Sequence, residues 1–313
     1  MPFLIIFAAL ISVLLAIDIA ICVSLFKNSI CRAKKPDSYE KEALVARGLG
    51  KHADEIISAR NAFLDNSFEE VEIISFDGLK LKGLLKITPG ARGTIILFHG
   101  YRGSPDFDFC ISEPFYENQR MNVLMPYHRA HGKSEGKFIT FGVRERNDVH
   151  SWIEFINKRI DYQSKIVLSG LSMGSSSVLM SAGDGYPDNV CAIIADCGFT
   201  SPYEIFKHVI GQYTKLPFAP LIFPFSLMCR FVAGFGVKEY STIDALKNCK
   251  IPVFLIHGEA DDFVPCEMTL RNYEVVSSEK KLLTVPDATH ALSFVTDGEK
   301  YKSMIIELLD SVL

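Results

Sequence analysis

Three residue types that together make a weak hydroxyl nucleophilic occur far apart in this chain of 313 residues. Ser172 lies in the segment Gly-Leu-Ser-Met-Gly at 170–174, directly after the apolar run 165–168 and before a segment compatible with a helix. This G-x-S-x-G pattern predicts a sharp elbow from strand to helix, with a positive φ at the serine and small residues on either side. The chemistry that it indicates is nucleophilic attack by the Ser172 hydroxyl. A turn rich in glycine and serine is the alternative interpretation.

A serine nucleophile needs a general base and a carboxylate that orients the base, and the chain has a candidate for each. The apolar run 251–256 predicts a buried strand, and Asp261 lies in the segment that follows its carboxyl end. His290 lies in a loop between another short strand, 281–285, and the final helix. The order serine, aspartate, histidine is the one expected for a triad built on such a sheet.

The segments H-G-x-x-D-x-x-V-P and G-x-S-x-G, together with the late histidine, resemble the alpha/beta-hydrolase family over roughly residues 68–313. The resemblance implies an alpha/beta fold in which helices flank a mostly parallel central sheet and a short helical cap covers it. It also implies roles for three residues, namely Ser172 as the nucleophile, His290 as the general base and Asp261 as the orienting acid.

Two further aspartates lie close in sequence to the proposed acid and base. Asp262 is the alternative orienting acid, but Asp261 holds the fifth place of the H-G-x-x-D motif, three residues before Val264. Asp287 is interpreted as a residue that caps its own loop, because aspartate readily bonds nearby backbone N–H groups in turns.

Acyl transfer also requires hydrogen-bond donors for the oxyanion that develops on the substrate. The backbone N–H of Met173 is one expected donor. The segment Phe-His-Gly-Tyr-Arg-Gly at 98–103 follows an apolar strand and looks like the H-G-x-x-G loop of the family, which implies the backbone N–H of Tyr101 as the second donor. His99 in this loop is interpreted as a structural brace.

The rest of the pattern predicts the sheet that positions these residues. Two apolar, partly alternating runs, 68–76 and 79–87, flank Asp77-Gly78, a strong hairpin signal, and predict an antiparallel pair. From residue 94 onward, short apolar strands alternate with longer helical segments, the pattern of parallel β-α units. These strands are predicted near residues 94–98, 122–125, 165–168, 191–195, 251–256 and 281–285. Ligands are expected at the carboxyl ends of the strands.

Residues 200–248 interrupt this alternation at the position where the family carries a cap. Residues 213–232 are rich in aromatic, aliphatic and proline residues, and we expect a short helical cap whose apolar side lines an acyl-chain pocket. Packing within the core is the alternative. A second membrane span is rejected, because three prolines would break its backbone hydrogen bonds and Arg230 would be costly in lipid.

The amino-terminal segment from Phe3 to Phe26 is almost wholly apolar, with Asp18 as its only charge, and it predicts a membrane-spanning helix. No basic residue precedes this segment, and Lys27, Arg32, Lys34 and Lys35 follow it. The positive-inside rule therefore predicts a single-pass protein of the cell membrane whose catalytic domain faces the cytoplasm. A cleaved signal peptide is less favoured, since a basic n-region and a clear A-x-A site are missing.

These observations divide the chain into three parts. Residues 1–27 are the predicted anchor, residues 28–66 a juxtamembrane linker with helical, weakly amphipathic segments, and residues 67–313 a single catalytic domain. The glycines at positions 48 and 50 are expected to interrupt the helical part of the linker.

Composition and residue clusters exclude several other classes of function. The net charge is −4, and no basic face or aromatic-basic motif indicates nucleic acid as a partner. No cofactor is expected. No metal is expected either, because His128 and His131 lie close together without a further local ligand. The eight cysteines form no tight metal-type pairs and are expected to be reduced, buried thiols.

The function predicted from these residues is a membrane-anchored serine hydrolase, resembling a carboxylesterase or lipase. Its substrate is predicted to be a small or lipid-like acyl ester, cleaved through an acyl-enzyme. A serine peptidase of the same fold is the alternative, although the cap shows no acidic cluster that would bind a substrate amine. A non-catalytic binding module is less favoured, because all three triad members are present.

Overall fold

The computed structural model of this protein describes residues 2–33, 40–46, 48–214 and 218–313. Residues 34–39 and 47 of the predicted linker, which include Lys34 and Lys35, lie outside the described residues, as do residues 215–217 of the predicted cap. The described residues are built around one eight-stranded sheet.

The sheet is mostly parallel, as the sequence predicts. Its strands are β1 Glu69–Ile74, β2 Lys80–Lys86, β3 Gly93–Phe98, β4 Met121–Pro126, β5 Ile166–Leu171, β6 Val190–Asp196, β7 Val253–Gly258 and β8 Lys280–Val285. Their order in the sheet is β1-β2-β4-β3-β5-β6-β7-β8. β1 pairs antiparallel with β2, and β2 pairs antiparallel with β4, whereas the remaining pairs are parallel. The antiparallel pair predicted around Asp77-Gly78 is confirmed and forms one edge of the sheet.

The helices precede, connect or follow these strands. They are α1 Pro2–Ser29, α2 Lys41–Ala46, α3 Ala53–Leu64, α4 Pro105–Asp108, α5 Glu113–Asn118, α6 Glu145–Arg159, α7 Met173–Ser181, α8 Pro202–Val209, α9 Phe218–Met228, α10 Thr242–Leu246, α11 Cys266–Val275, α12 Ser293–Thr296 and α13 Gly298–Val312. Single wider turns continue α8 at Ile210–Thr214 and α9 at Cys229–Ala233.

The core lies on both faces of the sheet, because successive side chains of a strand point to opposite sides. On β3, Ile96 and Phe98 pack in a cluster with residues of α6 and α7, including Trp152, whereas Ile95 and Leu97 pack in a second cluster with residues of α5 and α13. Every residue of β3, β4 and β7 is buried. Burial on both faces explains why these strands are continuous apolar runs in the sequence.

The linker helices α2 and α3 are separated at the glycines that the sequence indicates. Gly48 has a φ of 80°, and a short turn over Gly50–His52 leads into α3. An ion pair docks α3 on α4, since the Arg60 guanidinium donates from Nε to Asp106 Oδ2 over 2.9 Å. The domain boundary predicted at residue 67 therefore falls after a helix that contacts the catalytic domain.

The last turns of α1 belong to the core of the domain. Cys22 and Phe26 of α1, and Ile30 directly after it, are buried and pack in one cluster with Leu221 and Phe225 of α9. Within the part of the chain that the structure describes, no helix combines the length and the apolar character that crossing a membrane requires. The single-pass anchor predicted over residues 1–27 is therefore not supported.

Candidate active site

Ser172 forms the predicted elbow between β5 and α7, with φ 55° and ψ −114°. A Cβ atom added to Gly174 would lie 1.9 Å from the carbonyl oxygen of Phe98, and one added to Gly170 would lie 2.4 Å from the Gly174 carbonyl carbon. A larger residue at position 170 would force β5 and α7 apart, and one at position 174 would force α7 away from the end of β3. The backbone N–H of Ser172 donates to the carbonyl of Asp196 over 2.8 Å, which ties the elbow to β6.

The structure brings Ser172, His290 and Asp261 together at the carboxyl edge of the sheet. The Ser172 Oγ atom lies 2.9 Å from His290 Nε2, and His290 Nδ1 lies 2.7 Å from Asp261 Oδ2. These contacts favour the imidazole tautomer in which Nδ1–H donates to the carboxylate and Nε2 accepts the serine proton. The arrangement can deprotonate the Ser172 hydroxyl as it attacks an electrophile.

Asp261 is held as an anion by the loop that follows β7. Its Oδ1 atom accepts the backbone N–H groups of Phe263 over 3.0 Å and Val264 over 2.9 Å. Burial of the Asp261 carboxyl by itself favours the neutral acid, but hydrogen bonds with His257 and His290 outweigh burial and hold its pKa well below the usual range. The carboxylate can therefore stabilise positive charge on His290 throughout the neutral pH range.

His257 is a supporting residue that the sequence interpretation did not assign. Its Nε2 atom lies 3.1 Å from Asp261 Oδ2 and 2.8 Å from the Val264 carbonyl, and its Nδ1 atom lies 2.7 Å from Thr269 Oγ1. Because the Asp261 carboxylate and the Val264 carbonyl both face Nε2, the imidazole proton is assigned to Nε2. Nδ1 then accepts from the Thr269 hydroxyl. The signal was present in the H-G-x-x-D motif, whose first residue is this histidine.

The structure also places the two other aspartates, Asp262 and Asp287. Asp262 lines the cavity beside Ser172, and its backbone carbonyl accepts a hydrogen bond from His208 Nε2 over 2.9 Å. Asp287 is exposed, with a φ of 60°, in the turn after β8. Asp261 is the aspartate whose carboxylate contacts His290.

The loop after β3 lies against the elbow, as the predicted oxyanion site requires. A Cβ atom added to Gly100 would lie 3.4 Å from Ser172 Cβ, and the Gly100 N–H donates to Asp108 Oδ2 over 2.7 Å. Tyr101 follows Gly100, and Met173 is the first residue of α7. The backbones of both predicted donors thus adjoin the Ser172 residue, and their role in binding an oxyanion stays a prediction.

Three buried histidines brace this loop from behind. His99 Nε2 accepts the backbone N–H of His128 over 3.0 Å, and His131 Nε2 accepts the backbone N–H of Arg102 over 3.0 Å. Burial lowers the pKa of His128 to about 3 and that of His131 to about 4, and it holds the pKa of His99 well below its ordinary value. The three imidazoles are therefore neutral at physiological pH, and the Nε2 atoms of His99 and His131 serve as acceptors.

The carboxyl end of α1 contacts the same loop. The Tyr101 hydroxyl donates to the Ser29 carbonyl over 3.0 Å, and the Arg102 guanidinium donates to the Asn28 carbonyl. The last carbonyls of a helix have no partner within the helix, and a cation is favourable there. These contacts satisfy two of those carbonyls and tie α1 to the loop beside Ser172.

A cavity of about 670 Å³ opens beside Ser172 and His290. Its lining includes Leu49, Ile56 and Phe107 from the amino-terminal side of the domain. None of the lining residues in the described part of the chain comes from residues 200–248, so the expectation that the cap lines this cavity is wrong. The apolar side of α9 is instead covered by α1.

Asp196 places a second buried carboxyl in the lining of the cavity. Burial raises the pKa of Asp196 to about 6, and its Oδ1 atom accepts a hydrogen bond from Ser293 Oγ over 3.4 Å. Burial also raises the pKa of Tyr301, which hydrogen bonds to this carboxyl, well above its ordinary value. Asp196 therefore links β6 to α12 and α13.

Among the described residues, one group of three has the ligand types and the spacing that a metal site needs. Its potential ligand atoms, on Cys197, Asp261 and His290, all lie within 4.8 Å of one another. Burial raises the pKa of the Cys197 thiol well above its ordinary value, which opposes the thiolate that a metal would bind. The other two residues are already paired in the triad, so the group fits proton transfer better than metal binding.

Comparison with known proteins supports the geometric interpretation. No family model matches the chain. The protein YqkD of Bacillus subtilis, described as uncharacterized, is 28% identical over 251 residues, which cover 79% of this chain and 82% of YqkD. The alpha/beta hydrolase domain-containing protein WAV2 of Arabidopsis thaliana is 25% identical over 266 residues, which cover 80% of each chain.

A solved structure shares the fold. The esterase Pf2001 of Pyrococcus furiosus is 26% identical, with a TM-score of 0.64, and the match covers 80% of this chain and 95% of that protein. The similarity extends over most of both chains.

Replacing Asp261 by Asn should lower kcat by about a thousandfold or more, because Asn stabilises the wrong imidazole tautomer and cannot neutralise the imidazolium. Asp262→Asn is the matched control, and it should cost much less. Steady-state kinetics of both variants on a chromogenic ester checks this assignment. A larger loss in Asp262→Asn than in Asp261→Asn would contradict it.

Replacing His128 by Phe should weaken the acid sensitivity of folding. The unfolded chain binds a proton at each histidine below about pH 6.5, whereas burial keeps His128 neutral in the folded state, so stability falls as the pH decreases. The variant keeps the backbone N–H that His99 accepts and lacks the titrating imidazole. Between roughly pH 6 and pH 4, the free energy of unfolding of the variant should fall less steeply than that of the native protein. The two slopes should differ by about 1.4 kcal/mol per pH unit. Urea unfolding at several pH values measures the slopes, and equal slopes would contradict the prediction.

Proposed function

We propose that this chain, which belongs to the alpha/beta-hydrolase family, is a serine hydrolase that cleaves carboxylic esters through an acyl-enzyme. The observation that carries the proposal is the chain of contacts from Ser172 Oγ to His290 Nε2, 2.9 Å, and from His290 Nδ1 to Asp261 Oδ2, 2.7 Å. Ser172 and His290 line a cavity large enough for a small-molecule substrate.

In the first half of the reaction, Ser172 Oγ attacks the carbonyl carbon of the ester while His290 Nε2 takes its proton. The oxygen of the substrate carbonyl becomes an oxyanion, and the backbone N–H groups of Tyr101 and Met173 stabilise it. The bond from carbon to the alcohol oxygen then breaks, and His290 returns the proton to the leaving alcohol. The acyl group remains on Ser172.

In the second half, a water molecule takes the place of the alcohol. His290 removes a proton from the water as its oxygen attacks the acyl carbon, and the same imidazole then protonates Ser172 Oγ as the acid leaves. Asp261 keeps the imidazole in one orientation and stabilises its charged form in both halves. Its depressed pKa supports this role, because the carboxylate stays ionised when His290 becomes positive.

An ester is favoured over a peptide by two observations. The cavity beside Ser172 has apolar residues in its lining, including Phe107, Phe109 and Phe294. The esterase Pf2001 shares the fold over 80% of this chain at 26% identity. A serine peptidase with the same triad is the alternative, and substrate profiling separates the two.

A fluorophosphonate probe should label the native protein and fail to label Ser172→Ala, because only an activated serine reacts. Ser177→Ala is the matched control: this helical serine donates to the Met173 carbonyl over 2.8 Å, and its loss should leave labelling intact. The native protein should also hydrolyse p-nitrophenyl esters faster than aminoacyl-naphthylamides. Equal labelling of native protein and Ser172→Ala would contradict the proposed nucleophile, and faster amide cleavage would favour the peptidase.

A further inference from the structure

The cavity beside Ser172 is walled in part by residues that precede the first strand of the sheet. Leu49 and Ile56 line it, together with Phe107 and Ile111 from the segment around α4 and α5. These side chains form one apolar contact group, because Phe107 and Ile111 pack against a cluster that includes Ile56 and the buried Leu44. An aliphatic and aromatic wall without charge is suited to a hydrocarbon chain.

This wall is held in a defined position relative to the nucleophile. On one side of α4, Asp106 accepts from the Arg60 guanidinium of α3, with Nη2 to Oδ2 at 2.8 Å. At its end, Asp108 accepts the Gly100 N–H over 2.7 Å. A Cβ atom added to Gly100 would lie 3.4 Å from Ser172 Cβ, so α4 links α3 to the reacting centre.

The cap does not supply such a wall. Leu221 and Phe225 of α9 are buried against Cys22 and Phe26 of α1. Among the described residues that line the cavity, none belongs to α8, α9 or α10. An acyl chain bound to Ser172 within this cavity can therefore contact the linker helix α3 and its neighbours, in addition to other apolar lining residues such as Phe109 and Phe294.

We infer that the acyl group of the substrate binds as an alkyl chain along the wall formed by Leu49, Ile56, Phe107 and Ile111, and that Leu49 and Ile56 set its length. The inference rests on the proposed function and names its substrate class, a carboxylic ester with an aliphatic acyl chain. Each methylene group buried along the wall raises affinity about fourfold until the chain reaches Leu49 and Ile56, and further carbons then bring no gain.

The test compares Ile56→Ala with Ile57→Ala in the full-length protein. Both changes remove the same atoms from neighbouring positions of α3 within the same apolar cluster, but Ile56 lines the cavity, whereas Ile57 is absent from the lining. Leu49→Trp is a third variant, which adds bulk at a half-buried position and does not depend on the tolerance of the core at Ile56. Thermal unfolding midpoints establish that each variant is folded.

Two readouts are taken for each protein along a series from hexanoate to tetradecanoate. Calorimetric titration gives the affinity for the free fatty acids, which does not require turnover. The kcat/KM values for the p-nitrophenyl esters of the same acids give the preference in catalysis. Ile56→Ala should move the optimum to a longer chain, Leu49→Trp should move it to a shorter chain, and Ile57→Ala should leave it unchanged.

The outcomes separate this inference from the proposed function. Identical chain-length profiles in the native protein, Ile56→Ala and Leu49→Trp would overturn the inference, even where every ester is hydrolysed. A profile that shifts equally in Ile56→Ala and Ile57→Ala would overturn it as well. Shifted fatty-acid affinities without hydrolysis of any ester would support the alkyl-binding wall and contradict the esterase.

Discussion

The close approach of β5 and α7 at Ser172 is the constraint on which the rest of the site depends. A carbon added to Gly170 of β5 would lie only 2.4 Å from the carbonyl carbon of Gly174 in α7, and Ser172 between strand and helix adopts a φ of 55°. A non-glycine residue in such a conformation costs on the order of 1–3 kcal/mol, which the surrounding structure must offset. The hydrogen bond from Ser172 to the Asp196 carbonyl and the buried helix α7 hold it there. The serine hydroxyl therefore lies at the edge of the sheet from which the loops after β7 and β8 begin.

Those loops complete a network that extends well beyond three residues. His257 holds Asp261 on one side while backbone N–H groups hold it on another, so the carboxylate can face His290 with little freedom. Opposite them, neutral histidines and α4 secure the loop that carries Tyr101. The chain thus places rigid hydrogen-bonded supports on both sides of the Ser172 hydroxyl, as efficient proton transfer requires.

Local steric demands made much of this architecture predictable from the sequence. The elbow at Ser172 follows from glycine at 170 and 174, and the parallel strands follow from continuous apolar runs such as 251–256, because strands covered on both faces need no polar alternation. The alpha/beta-hydrolase family and its fold, recognised from these motifs, are confirmed.

The sequence predicts less well which elements pack against each other when they lie far apart along the chain. An apolar segment must be buried, but its sequence does not name the partner: the apolar cap segment packs on α1, and the cavity takes a wall from α3 instead. The bracing role of His257 depends likewise on contacts to Thr269 and Val264 that form only in the fold.

In the proposed reaction, Ser172 carries the acyl group between the two halves. Mass spectrometry of protein quenched in acid during turnover of a p-nitrophenyl ester measures this directly. We expect a mass gain of one acyl group, located on the peptide that contains Ser172 and released as acid when the reaction continues. Hydrolysis with the acyl group attached to a different residue, or an unmodified Ser172 under conditions that slow deacylation, would contradict it.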